Sequence, residues 1–77
     1  MNSISSALPQ TIIPLNNRER QFLQLACSEL TYVQIADRMC VSPRTVDGYR
    51  EALFVRLRLR SRVGLALWAV KTGIVIL

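Results

Sequence analysis

Two helices in this chain have to meet across two residues. Tyr32–Met39 carries apolar residues at helical spacing, Ser42-Pro43 has the character of a helix start, and only Cys40 and Val41 lie between. Serine caps free backbone amides, and proline suits the first helical position because its missing N–H would have no partner there. So short a turn, carrying an apolar residue, predicts a helix-turn-helix in which the two helices cross steeply.

The second of these helices is predicted over Pro43 to Leu57 or Arg58 and has two faces. At ~100° per residue, Val46, Tyr49, Leu53 and Leu57 gather on one side, and Arg44, Asp47, Gly48 and Glu51 on the other. The first face is suited to packing and the second to meeting another molecule. Gly48 in mid-helix costs ~0.5–1 kcal/mol relative to alanine. Either close approach of a partner or a tolerated surface glycine accounts for it.

The remaining helices have their own start signals. Asn16 and Glu19 form a capping-box pattern, as do Thr31 and Gln34. The first box predicts a helix to about Ser28 with Phe22, Leu23, Ala26 and Cys27 on its inner face and Leu25 at the edge. The second predicts the helix that buries Ile35, Ala36 and Met39 and turns Asp37 and Arg38 outward. Ser61 is the expected cap of a last helix reaching Lys71 or Thr72, with Gly73 as its left-handed terminator. Val63–Val70 is apolar all round, so this helix is expected to bury one face inward and another against a partner, the alternative being a helix sunk among the other three. Residues 1–14 are uncharged and Ser- and Pro-containing, and are expected to be a linker or flexible N-terminal segment, from which Ile12 and Ile13 can fold back. The fold class is all-α, a four-helix bundle-like domain over residues 15–77 with a helix-turn-helix and no winged elements.

Composition narrows the partners. The 77 residues suffice for one small domain. Ten Lys and Arg against five Asp and Glu give +5, and nine of the ten cations are arginine, the cation that grips phosphate with two prongs. Nucleic acid is the first partner this suggests, an anionic membrane the second, and an inert basic surface the plain alternative. The arginines do not lie opposite the apolar residues of one amphipathic helix, which argues against a membrane. No run approaches a membrane span, and no secretory signal is visible. With no histidine, no Gly-rich phosphate loop and no nucleophile beside a base, catalysis has no footing. Two cysteines without histidine cannot complete a four-ligand zinc site. No metal or cofactor is expected. Cys27 and Cys40 are read as buried free thiols suited to a reducing cytosol.

Four segments then carry a specific resemblance. Leu15…Arg18-Glu19-Arg20…Leu23, Gln34-Ile35-Ala36, Val41-Ser42-Pro43-Arg44-Thr45-Val46 and Ser61-Arg62, in this order and spacing, resemble the LuxR/NarL-type effector domain of bacterial transcription regulators over about residues 15–75. The resemblance implies a third helix in the major groove of double-stranded DNA and a fourth helix that pairs with its twin in a homodimer. It also implies a receiver or ligand-sensing domain on the N-terminal side and a bacterial, cytoplasmic location. By position it makes Asp47, Gly48 and Glu51 base-facing, Arg44 and Thr45 phosphate-contacting, and Val63 and Leu67 dimer-facing, and it turns Leu65, Ala66 and Ala69 inward. Asp47 stands where the family often has Lys, Glu51 where it has a small or basic residue, and Tyr32 and Val33 where Asn and Lys are common.

Carboxylates in the major groove accept from cytosine N4 but meet phosphates of their own sign, so affinity is expected from the rim. Arg44 and Thr45 lie at one end, and Arg56, Arg58 and Arg60, with Arg62 beyond, at the other. Arg44 could also pair with Asp47 in the free protein, and Arg50, at the core edge, is expected to pair with an acid of the first helix such as Glu19. The expected function is sequence-specific DNA binding in transcription regulation. The alternative is a DNA-binding-deficient protein-interaction module of the same fold.

Overall fold

The computed structural model describes residues 15–76 and holds four helices, α1 (Asn17–Ala26), α2 (Tyr32–Met39), α3 (Pro43–Leu57) and α4 (Arg62–Lys71), with no strand among the described residues. The expectations for residues 1–14 lie outside the described residues.

Each helix begins where a side chain can satisfy its first amides. Asn16 Oδ1 accepts from the Glu19 amide at 2.8 Å while Glu19 Oε1 accepts from the Asn16 amide at 3.1 Å. Thr31 and Gln34 repeat this box at 3.1 and 2.8 Å. Ser42 and Ser61 cap α3 and α4 by accepting from Thr45 and Gly64. Each such cap contributes about 1 kcal/mol, which matters for helices of only 8 to 15 residues.

The core follows the predicted periodicity. Phe22, Leu23 and Ala26 of α1, Ile35, Ala36 and Met39 of α2, Val46 and Leu53 of α3, and Leu65 and Ala69 of α4 are all buried. The short α1 is the hub, in contact with each of the other three helices. The helix-turn-helix pair α2 and α3 packs most extensively, and α4 rests chiefly on α1. Because α4 has one principal neighbour, the rest of its apolar circumference is left outside. Leu65 and Ala69 are buried and Ala66 is partly so, whereas Val63 and Leu67 are 67% and 66% exposed.

Several local expectations need correction. The first helix ends at Ala26, two residues short of Ser28, and its end is held by Arg62. Its Nε donates to Ala26 O at 3.1 Å and its Nη2 to Ser28 O at 2.9 Å, so the first residue of α4 satisfies carbonyls at the end of α1. Arg18 does the same for α2 by donating to Met39 O at 3.2 Å. Neither free thiol is fully buried as expected: Cys27 is partly so, and Cys40 is exposed. It ends α2 in the left-handed conformation, φ 58°, and the Val41 amide then reaches Ala36 O at 3.0 Å. Glycine usually fills this position, since a Cβ costs roughly 1 kcal/mol there. Arg58 ends α3 in the same way, φ 57°, with the Leu59 amide on Phe54 O at 2.9 Å. Gly73, φ 82°, terminates α4 as expected.

Candidate nucleic-acid interface

The outward face of α3 starts beside the turn. Ser42 and Pro43 set the first turn, so Arg44 and Thr45 stand at its rim, both exposed. The Thr45 hydroxyl lies 3.0 Å from Ser42 Oγ, which orients it next to the free amides of the helix start. These amides carry the positive end of the helix dipole and favour an anion. Arg44 makes no ion pair with another described residue.

One turn on, Asp47, Gly48 and Glu51 are exposed together. A Cβ built on Gly48 would meet nothing within 4 Å, and the residue has ordinary helical backbone. Nothing in the fold therefore requires glycine here. Asp47 is paired with Arg50, not with Arg44. Arg50 Nη1 lies 3.2 Å from Asp47 Oδ1, and its Nη2 donates to Glu51 Oε2 at 3.1 Å. The hydrogen bond to Glu51, more than the nearby Asp47 charge, holds the Arg50 pKa above its ordinary value, against partial desolvation.

Arg50 does not reach Glu19. Arg56 does, donating from Nη1 to Glu19 Oε2 at 2.6 Å. Glu19 is buried at the start of α1, opposite the last turn of α3, and Arg50 lies six residues too early, about 9 Å back along the axis. Arg56 thus closes a contact between α1 and α3, with its guanidinium still partly exposed. Arg58 and Arg60 are exposed and unpaired among the described residues. Arg44 and Arg58 stand about 20 Å apart along the helix, so the unpaired cations flank the carboxylates, and Arg50 alone lies between Asp47 and Glu51.

Tyr32 connects this face to the core. Its ring packs on buried Phe22 with centroids 6.3 Å apart, and the guanidinium carbons of Arg50 and Arg62 lie 5.1 and 5.0 Å from its centroid. Of the arginines considered at the rim, Arg62 is therefore committed to the fold by its two carbonyl bonds and this ring, and Arg56 in part by its ion pair with Glu19. The i, i+3 spacing of Asp47 and Arg50 was open to inspection as a pair. The contacts of Arg62 with Ala26 and of Arg50 with Tyr32 cross between helices and leave no periodic signal.

A family model described as "Bacterial regulatory proteins, luxR family" matches residues 14–69. The chain belongs to this family. Its residues are 39% identical over 61 positions to the protein named Response regulator GacA of Pseudomonas aeruginosa, and equally to the GacA proteins of Pseudomonas viridiflava and Pseudomonas syringae pv. syringae. Each alignment covers 79% of this chain but 28% of the relative, so the chain spans little more than a quarter of their length. No solved structure matches the chain. Within the luxR-family domain, α2, the Cys40-Val41 turn and α3 form the helix-turn-helix expected of it. Among the described residues, no helix is long and apolar enough to cross a membrane, and no group of His, Cys, Asp and Glu could hold a metal ion.

Proposed function

We propose that this domain binds double-stranded DNA sequence-specifically, with α3 in the major groove, and pairs with a second copy through α4. The observation that carries the proposal is the α3 face itself. It is fully presented, rimmed by cations without fold partners, and interrupted by a glycine that the fold does not need. In this arrangement Arg44, Thr45, Arg58 and Arg60, with the exposed part of Arg56, hold phosphates and set the register. Asp47, Gly48 and Glu51 face base edges, where the carboxylates accept from cytosine N4 and Gly48 admits close approach. Val63 and Leu67 bury against their counterparts. Two copies then address two half-sites about one helical turn apart. The relatives are named as response regulators, which supports a place for this domain as the output part of a longer cytoplasmic bacterial regulator with a receiver domain.

Selection of bound sequences from random DNA tests this, using the domain alone and in a dimerised form. An enriched site, doubled in the dimerised form, is expected. With Asp47→Ala the preferred sequence should change; the same site from both proteins would remove Asp47 from base recognition. No salt-sensitive gel shift at low salt would favour the protein-interaction alternative, which the exposed Val55 on α3 also fits.

A further inference from the structure

Asp47, Arg50 and Glu51 form one unit, and its role rests on the DNA-binding function proposed above. Two carboxylates at i, i+4 repel each other and would also repel a phosphate-lined groove. Arg50 bridges both, at 3.2 Å to Asp47 Oδ1 and 3.1 Å to Glu51 Oε2. Two carboxylates and one guanidinium leave the unit a single net negative charge instead of two. The bridge engages one oxygen of each acid, and Asp47 Oδ2 and Glu51 Oε1 have no partner among the described residues.

The anchoring is graded. The Arg50 side chain is 25% exposed, against 56% for Asp47 and 64% for Glu51. Its guanidinium carbon lies 5.1 Å from the Tyr32 ring centroid, and that ring stacks on the fully buried Phe22. Two exposed and otherwise rotatable acids are thus tied to a less exposed cation, which is tied to the edge of the core. Side chains already held by such supporting contacts lose less freedom on binding and present their acceptors in set directions.

We propose that Arg50 is a positioning residue for base recognition. Held by Tyr32, it directs the free oxygens of Asp47 and Glu51 and so sets which base pairs the face accepts, with the cytosine amino group the fitting donor. Arg50 itself touches neither base nor phosphate in this arrangement.

The test compares wild type with Arg50→Met, which keeps the aliphatic stem, and Tyr32→Leu, which removes the ring. Each is titrated at several salt concentrations against the selected wild-type site and its single-base variants. Wild type should discriminate at the Asp47 and Glu51 positions by about tenfold or more, as one good base contact does, and both variants by only about two- to threefold. The salt slope should stay the same. In the free protein, side-chain J-couplings should report one Asp47 χ1 rotamer in wild type and an average in Arg50→Met. Unchanged base preference alongside a lowered melting temperature would make Arg50 merely structural and overturn the proposal. So would a salt slope reduced by about 1, since Arg50 would then be a phosphate contact. If wild type itself fails to bind DNA, the DNA-binding function and this role fall together, an outcome distinct from binding with unchanged preference.

Discussion

The outward faces of α3 and α4 make an instructive pair. Both helices are anchored by two fully buried side chains, Val46 and Leu53 in one, Leu65 and Ala69 in the other. Both begin at a serine cap. Their outer faces differ in kind. That of α3 carries Arg44, Asp47 and Glu51 around an open glycine, with Val55 as its one exposed large apolar side chain, while that of α4 carries Val63, Leu67 and the partly exposed Val70. A polar face with unused acceptors suits a hydrated, charged partner, whose recognition rests on direction and salt-dependent attraction. An apolar stripe suits a dry partner, whose recognition rests on area removed from water. One scaffold therefore holds two surfaces that different physical forces would drive.

The largest expected effect would break the α4 side. If α4 pairs with its twin as proposed, Leu67→Glu removes an apolar contact from both copies at once, roughly 3–6 kcal/mol in total, or about 10²–10⁴-fold in the dimer constant. Sedimentation equilibrium reads it, and a variant that still dimerises like wild type would take Leu67 out of the interface. The domain should keep its helicity by circular dichroism, because Leu67 contributes little to the core.

On the α3 side, Arg44→Ala is expected to weaken binding to every DNA sequence alike and to flatten the salt slope by about 1. An unchanged slope in a binding titration would deny Arg44 a phosphate contact. Gly48→Ala sharpens the contrast further. A methyl group meets no neighbour there, so the isolated domain should gain about 0.5–1 kcal/mol in stability while binding DNA more weakly. Stabilisation with unaltered binding would mean that nothing approaches Gly48 closely.

The smallest effect concerns the two thiols. Burial, opposed by the nearby Arg62 charge, pushes the Cys27 thiol above its ordinary range, whereas Cys40 is exposed at the turn. Cys40 should react first with a thiol reagent near neutral pH, and Cys27 several times more slowly. Because the folded Cys27 keeps its proton longer than the unfolded chain does, its ionisation subtracts from stability only as pH rises through and beyond the ordinary thiol range. Equal labelling rates would show that Cys27 is as accessible as Cys40.

Much of the architecture could be read from local pattern. The caps at Asn16, Thr31, Ser42 and Ser61, and the burial of Ile35, Met39, Val46 and Leu53, all depend on neighbours within about one helical turn, a distance at which sequence spacing and spatial spacing agree. The outward placement of Asp47, Gly48 and Glu51 was legible for the same reason. The direction of α4 was not, because Val63–Val70 is apolar on every side and only its seat on α1 selects Leu65 and Ala69 for the interior. Nor was Cys40, where the tight turn imposes a left-handed residue without asking for glycine.

By itself, then, the sequence determined four capped helices, a two-residue turn, most of the core and a polar outer face on α3. Tertiary structure decided which arginine serves which acid. Nine similar guanidiniums are spread along 77 residues, and each can reach several partners. Only the packing of helices brings Arg56 to buried Glu19, Arg62 to the end of α1, and Arg50 to Tyr32 beside its own Asp47 and Glu51. The contacts of Arg56 with Glu19, Arg62 with the end of α1 and Arg50 with Tyr32 are long-range and non-periodic; they commit Arg62 and Arg50 to the domain and Arg56 in part, and leave Arg44, Arg58 and Arg60 without an ion pair among the described residues.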